Sequence, residues 1–133
     1  MAAYFELDEP AAGRFVFALK STDGAVLLTS VTHRSRMAAR LEIEATRGSA
    51  QRVSRFIRVI ENDSTYHFAI VSEIGHRLAT SAVFASRAAL EGAIGYVMAV
   101  VATAPVRERG SIAGAKDGSA SGQVAGDRPV TSQ

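Results

Sequence analysis

Three histidines, His33, His67 and His76, are the residues best suited to bind a metal ion or to act as a general base. No two of them lie three or four residues apart, and no carboxylate stands at the spacing of a metal-binding motif. Strand alternation points His67 away from the face of Phe68, and His76 adjoins a turn glycine. We therefore predict no metal site and expect the histidines to lie at the surface.

Four carboxylates raise the question of an acid–base pair. Asp8 and Glu9 fall in a loop that corresponds to the loop holding Glu61 and Asp63. A paired acid site or a cation site requires oxygens that converge on one point. Hydrophilic loop residues explain the same pattern without any chemistry. We predict no catalytic carboxylate.

Nucleophiles and cofactor motifs are equally poorly supported. Ser30 and Ser81 recur at corresponding positions, but neither lies in a Gly-x-Ser-x-Gly elbow. The chain has no Gly-x-Gly-x-x-Gly or Walker motif. It also contains no cysteine, which excludes disulfides, thiolate ligands and cysteine nucleophiles. The sequence therefore predicts a non-enzymatic protein with no catalytic residue and no cofactor.

Basic residues suggest phosphate binding only at first sight. Of the 15 lysines and arginines only Lys20 and Lys116 are lysines, and the net charge is +2. Arginines cluster at positions 34, 36 and 40 and again at 47, 52, 55 and 58, but carboxylates are interleaved with both clusters. We do not expect nucleic-acid binding. The first residues lack a basic segment followed by an apolar one, so we expect a cytoplasmic protein and no secretion signal.

An internal repeat shows which elements must position these side chains. Residues 5–46 align without a gap to residues 56–97 at an offset of 51, and twelve of the 42 pairs are identical. Unrelated segments would share about three, so the match indicates a duplicated supersecondary unit. We predict a first unit at 1–54 and a second unit at 55–109, which share one core.

Each unit has the pattern of three strands followed by a helix. Period-two alternation, turn glycines and the capping serines Ser35 and Ser86 set the boundaries. The predicted strands are 4–7, 14–20 and 25–31 in the first unit and 55–60, 66–71 and 77–84 in the second. The predicted helices are 36–47, which ends at Gly48, and 87–104, which Pro105 closes. Residues 110–133 lack aromatics and periodicity, so we predict a disordered tail.

The pattern Phe5-Glu6-Leu7, then Gly13–Lys20, then Gly24 and a helix opened by Ser35-Arg36 resembles the YegP-like family. That resemblance implies β-β-β-α units whose sheets join into one, with helices packed on it. It also implies that the strand after each helix is exchanged into the other half. The family's helix carries an Asn-Gly pair, whereas these positions hold Leu41-Glu42 and Gly92-Ala93 here.

Each helix has two apolar stripes at helical spacing, and they predict two different contacts. We expect one stripe to lie on the sheet, formed by Ala39, Ile43, Thr46 and Ala50 and by Leu90, Ile94, Val97 and Val101. The other stripe is formed by Met37, Leu41 and Ala45 and by Ala88, Gly92 and Tyr96. We expect these outer stripes to face each other, with Gly92 opposite Leu41. The apolar stretch 88–104 is then a buried or interface helix, since its charged counterpart argues against a membrane span.

These observations predict an α+β fold of tandem β-β-β-α repeats, with one mostly antiparallel sheet and both helices on one of its faces. The function we expect is a protein–protein contact module, with no identifiable partner, that is a monomeric pseudo-dimer. The alternative is a small-ligand or nucleic-acid binder that uses the open sheet face. Positions expected to be exposed on that face are Arg14, Val16, His67 and Arg77. Contiguous arginine there would favour phosphate, and mixed small apolar residues would favour a protein.

Overall fold

The computed structural model describes residues 3–62 and 64–109, which contain seven strands and two α-helices. The first three strands are β1 (Tyr4–Ala11), β2 (Arg14–Lys20) and β3 (Val26–Ser30), and α1 (Arg36–Ser49) follows them. A 3₁₀ turn at Val53–Arg55 leads into β4 (Phe56–Glu61), β5 (Thr65–Val71), β6 (Arg77–Ser81) and α2 (Arg87–Val100). A second 3₁₀ turn at Val101–Thr103 precedes β7 (Val106–Glu108). The predicted tail at 110–133 lies outside the described residues.

The seven strands form one sheet in the order β4-β5-β6-β3-β2-β1-β7. All neighbours are antiparallel except β1 and β7, which are parallel. The two halves of the sheet meet where β3 pairs with β6, and there Thr29 is opposite Thr80. These two threonines are separated by 51 residues, which is the offset of the sequence repeat.

One hydrophobic core lies between the sheet and both helices. Alternate strand residues such as Phe5, Phe17 and Phe68 are fully buried there, because in a strand every second side chain points to the same face. The helix stripes predicted to lie on the sheet are buried, and each of their eight residues is 3% exposed or less. Burial of this apolar surface is the main stabilising term of the fold.

Repeated polar residues fix the ends of the elements. Ser35 and Ser86 accept hydrogen bonds from the backbone N–H three residues on, at 3.0 Å each, and so begin α1 and α2. Ser30 Oγ accepts from the Phe17 N–H at 2.9 Å and donates to the Val31 carbonyl at 2.7 Å. Ser81 makes the same pair of bonds in the second half. The repetition of these two serines therefore has a structural cause.

The expected contact between the outer helix stripes is wrong. Met37 is 69% exposed, Leu41 64% and Tyr96 40%, and a Cβ added at Gly92 would meet no atom within 4 Å. Both helices lie on the sheet through their inner stripes, and their outer faces point to solvent instead of to each other. In α1 the stripe of Met37, Leu41 and Ala45 is thus the exposed one.

Several predicted boundaries also differ. Strand β1 continues to Ala11, because Asp8 pairs with Val16 and the turn comes only at residues 12–13. Helix α1 passes through Gly48, which is not in the left-handed region, and ends on Ala50 in the αR region. Helix α2 is shorter than predicted, since a 3₁₀ turn replaces its last residues. Strands β3 and β6 are also shorter, and Phe84 lies beyond β6 in an isolated bridge with Tyr66.

Candidate functional site

The sheet face away from the helices is open, and one row of side chains crosses all seven strands. From β7 to β4 this row is Arg107, Glu6, Ala18, Thr29, Thr80, Ala69 and Ile57. Its centre is symmetric, since Ala18 and Ala69 are repeat counterparts, as are Thr29 and Thr80. The middle of the open face is therefore small and uncharged.

Strand alternation puts the four residues predicted for this face on its side of the sheet, but Val16 and His67 are half-buried instead of exposed, and the four do not form a cluster. Val16 is opposite Asp8 and His67 is opposite Val59, so these two repeat counterparts sit on opposite sides of the central row. Arg14 and Arg77 are exposed and lie on β2 and β6, with β3 between them. Two strand spacings correspond to roughly 10 Å, so the two guanidinium groups are not forced together by the sheet.

Charged side chains occupy the first-unit end of the open face, and they are paired. Lys20 Nζ contacts Glu6 Oε1 at 2.5 Å, and an Arg109 nitrogen lies 3.8 Å from Asp8 Oδ2. The Arg107 guanidinium lies 4.2 Å from the centre of the Tyr4 ring. Lys20 and Arg109 are therefore each paired with a carboxylate, whereas Arg107 keeps its charge and lies over an aromatic ring.

The second-unit end carries apolar side chains at the corresponding positions. Where the first unit has Glu6, Asp8 and Lys20, the second has Ile57, Val59 and Val71. Ile57 is 46% exposed, and the two valines are half-buried. We refer to Ile57, Val59 and Val71 as the apolar end. The sequence analysis did not predict it, although a comparison of the open-face positions between the two repeats contains the signal.

The other candidate residues are not brought together. Asp8 lies on β1 and Glu61 on β4, which are five strand spacings apart, or about 24 Å; Asp63 is outside the described residues. His76 is exposed and His67 is half-buried on the open face. In residues 3–62 and 64–109 no group of three metal-ligating side chains and no pocket is found. No helix in this part of the chain is long and apolar enough to cross a membrane.

His33 differs from the surface position expected for it. Its ring stacks on Phe17 with the centroids 6.0 Å apart and an 8° angle between the planes, and its buried Nε2 has no hydrogen-bond partner. The repeat counterpart of His33 is Phe84, which stacks on Phe68 at 6.5 Å and 2°. His33 thus fills an aromatic position in the fold.

Comparison with known proteins assigns the chain to a family. No family model matches the sequence. The UPF0339 protein PA0329 of Pseudomonas aeruginosa is 31% identical over 94 residues, which span 71% of this chain and 86% of that protein. The chain belongs to the UPF0339 family. This result confirms the resemblance to YegP-like proteins.

Two solution structures have the same fold as this UPF0339 chain. The UPF0339 protein SO3888 of Shewanella oneidensis gives a TM-score of 0.75 at 24% identity and covers 81% of this chain and 92% of its own. The protein of unknown function yegP from E. coli gives 0.76 at 23% identity and covers 84% and 96%. At these identities the likeness establishes the fold: α+β, with a mostly antiparallel sheet and two helices.

One ion pair ties the edge strand of this UPF0339 chain to its second helix. The Arg58 guanidinium on β4 donates to both carboxylate oxygens of Glu91 on α2, at 2.5 and 2.8 Å. The hydrogen bond from Arg58, more than its charge, lowers the pKa of Glu91 below the ordinary value, and Arg87 adds a smaller effect. The counterparts in the first unit are Leu7 and Arg40, so this link exists only in the second unit.

Proposed function

We propose that this UPF0339 protein is a non-enzymatic interaction module of the cytoplasm that contacts a protein partner through the apolar end of its open sheet face. The observation that carries the proposal is the exchange of charged for apolar residues at repeat-related positions, Glu6 for Ile57 being the clearest pair. The sheet itself does not require apolar side chains there, because the first unit accommodates charged ones. Exposed apolar side chains that the fold does not need are typical of a contact surface.

The proposal includes the arrangement of the chain. Residues 1–54 and 55–109 are two copies of one unit, and together they act as a monomeric pseudo-dimer. Thr29 and Thr80 pair at the centre of the sheet, and their separation equals the repeat offset, which supports this arrangement. The duplication also provides the asymmetry, since two units in one chain can acquire different surfaces whereas two identical subunits cannot.

The alternative is a small-ligand or nucleic-acid binder that uses the same face. A phosphate site requires cations that are contiguous and free of carboxylates. On this face Lys20 is paired with Glu6 and Arg109 with Asp8, and the centre of the face has no charge. The small uncharged centre and the apolar end favour a protein partner.

The experiment is partner capture from the native organism with matched variants. The test variant copies the first unit onto the second through Ile57→Glu, Val59→Asp and Val71→Lys. The control variant, Glu6→Gln with Asp8→Asn, alters the charged end instead. We expect the parent and the control to retain the same protein and the test variant to lose it.

Two results would refute the proposed function. One is that the test variant retains the same proteins as the parent. The other is that capture depends on nucleic acid and disappears after nuclease treatment, which would favour the alternative. Circular dichroism of each variant checks that the sheet is intact.

A further inference from the structure

The two units differ in what covers their outer strands. Strand β1 is covered by β7, with the Phe5 N–H donating to the Pro105 carbonyl and the Arg109 N–H donating to the Leu7 carbonyl, both at 2.8 Å. Phe5 and Leu7 therefore direct their backbone groups away from β2. Strand β4 pairs only with β5 among the described residues, so it is the exposed edge of the sheet.

The backbone of β4 is oriented as in β1. Ile57 is opposite Ala69 as Glu6 is opposite Ala18, so the two hairpins have the same register. The β4 counterparts of Phe5 and Leu7 are Phe56 and Arg58, whose backbone groups must point to the exposed edge. The Phe56 N–H donates to the Val53 carbonyl, which leaves the Phe56 carbonyl and both backbone groups of Arg58 for a further strand.

A carboxylate clamp holds β7 on β1. Glu108 of β7 contacts Arg36, and it lies 2.7 Å from an Arg40 nitrogen. Both arginines belong to α1, and the Arg36 guanidinium lies 5.2 Å from the centre of the Phe15 ring. Strand β7 is thus bound to β1 by backbone hydrogen bonds and to α1 by the acidic side chain of Glu108.

Half of this clamp recurs beside β4. Arg87 is the counterpart of Arg36, and it lies 5.9 Å from the centre of the ring of Tyr66, the counterpart of Phe15. Among residues 3–62 and 64–109, no carboxylate lies within 4.0 Å of Arg87. The counterpart of Arg40 is Glu91, which Arg58 already neutralises with two hydrogen bonds. A cation is therefore placed where the first unit binds a carboxylate.

The N-terminal half of β4 is flanked by basic and apolar side chains, whereas the exposed carboxylate of Glu61 ends the strand. Arg52 and Arg55 precede the strand and make no ion pair with the carboxylates that the structure describes. Ile57 on the open face and Ile60 on the helix face are 46% and 41% exposed. Charge complementarity to Arg87, Arg52 and Arg55 favours an acidic partner segment.

We propose that β4 binds an extended acidic segment of the partner protein as an eighth, parallel strand, in the register that β7 takes on β1. In this register an apolar residue lies opposite Phe56, and an acidic residue opposite Arg58 reaches Arg87. This inference rests on the proposed function and names the chemistry of the partner. The position next to Ile57 takes an apolar side chain, because Ile57 replaces the Glu6 that faces Arg107.

The probe is a synthetic peptide derived from the chain's own β7. It reads Thr-Ala-Pro-Val-Val-Glu-Val-Ser, in which valine replaces the two arginines that flank Glu108 and serine replaces Gly110. A matched peptide carries glutamine in place of glutamate. Each peptide is titrated at millimolar concentration into the full chain, and backbone amide shifts are followed in the parent, in Arg87→Ala and in the charge-matched control Arg34→Ala, whose side chain is exposed.

We expect shifts at the amides of β4, with the glutamate peptide binding the parent and Arg34→Ala roughly two- to five-fold more tightly than the glutamine peptide. In Arg87→Ala the two peptides should bind equally. The two proteins and two peptides form a double-mutant cycle, which isolates the contact between Arg87 and the glutamate. Shifts outside β4, an equal preference in all three proteins, or no binding at all would overturn the proposal. Concentration-dependent shifts at β4 without peptide would assign this edge to a second copy and also overturn it.

The two tests separate the two claims. Arg87 lies on the helix side of the sheet and is not part of the apolar end. If partner capture depends on the apolar end but no peptide binds β4, the proposed function stands and the acidic-strand inference fails.

Discussion

Two corresponding aromatic positions are filled by different residues, His33 in the first unit and Phe84 in the second. Both rings stack on a buried phenylalanine, so the two sites have the same shape. The difference is that the buried Nε2 of His33 has no hydrogen-bond partner. A buried polar atom without a partner destabilises the folded state relative to an apolar group of similar shape.

We therefore expect His33→Phe to stabilise the protein by about 1 kcal/mol. The reason is that the phenyl ring keeps the stacking on Phe17 and removes the unpaired nitrogen. Chemical unfolding monitored by circular dichroism measures the change. The reverse substitution, Phe84→His, is the matched control and should destabilise; a His33→Phe protein less stable than the parent contradicts this assignment.

Titration of Glu91 tests the link between β4 and α2. Since hydrogen bonds from Arg58 lower the pKa of Glu91, the ionised carboxylate favours the folded state. This stabilisation is present above the unfolded-state pKa and is lost as the pH falls through the lower, folded-state pKa. We expect the side-chain carboxyl resonance to titrate below the ordinary glutamate range in the parent. In Arg58→Ala its midpoint should rise towards that range, and an unchanged midpoint would exclude the bond in solution.

At the scale of elements, one side chain of α1 binds the segment between α2 and β7. Arg47 on α1 donates to the carbonyls of Val101, Ala102 and Ala104 at 2.8, 3.2 and 2.8 Å. Its guanidinium also lies 5.2 Å from the centre of the Phe5 ring. The repeat counterpart of Arg47 is Met98, so the second unit has no such bond donor.

We expect Arg47→Met to destabilise the protein by about 1–3 kcal/mol, because charge-assisted hydrogen bonds to three carbonyls are lost while the apolar stem remains. The measurement is the unfolding midpoint, together with hydrogen exchange at the amides of β7. Arg52→Met is the control, since Arg52 is exposed and has no ion pair with the described residues. Equal stability of the two variants would show that the bonds contribute nothing.

The outer face of α2 gives a prediction of the opposite sign. Because a Cβ at Gly92 meets no atom within 4 Å, Gly92→Ala should improve helix propensity and stabilise by about 1 kcal/mol. The contrasting variant is Gly75→Ala, which should destabilise because Gly75 has a φ of 84°. Thermal unfolding compares the two. A destabilising Gly92→Ala would mean that the face is covered by another helix.

The order of the elements and the helix faces that lie on the sheet were predictable from the sequence, whereas the solvent exposure of the outer helix stripes was not. The repeat, the serine caps and the turn glycines locate the six strands and two helices of the units, because each has a local cause. The choice between Ile43 and Leu41 as the buried residue of α1 depends on the counterpart Ile94, since both stripes are apolar. The outer stripes of both helices are exposed, and no local sequence pattern shows whether two helices on one sheet contact each other.

The position of the open face was predictable from the sequence, but the distribution of its apolar and charged side chains was not. Strand alternation alone places Arg14, Val16, His67 and Arg77 away from the core. The apolar end depends on which strands lie side by side, and the exposed edge of β4 depends on β7 joining β1 instead. Both are consequences of strand order, which is set by contacts distant in the chain.

For the whole molecule, the proposals depend on the two units sharing one core. Helix α1 packs on β5 and β6 as well as on β1 and β2. Ile43 and Ile70 accordingly belong to one cluster of buried residues. A fragment of residues 1–54 would lose β6 beside β3, β7 beside β1, and much of the surface that buries α1.

The measurement that tests this claim most directly is unfolding of the 1–54 fragment beside the full chain, with the mass of each determined by sedimentation. We expect the fragment to be unfolded, or folded only as a self-associated species that pairs two copies of β3. A folded monomer of residues 1–54 with the stability of the full chain would contradict the shared core.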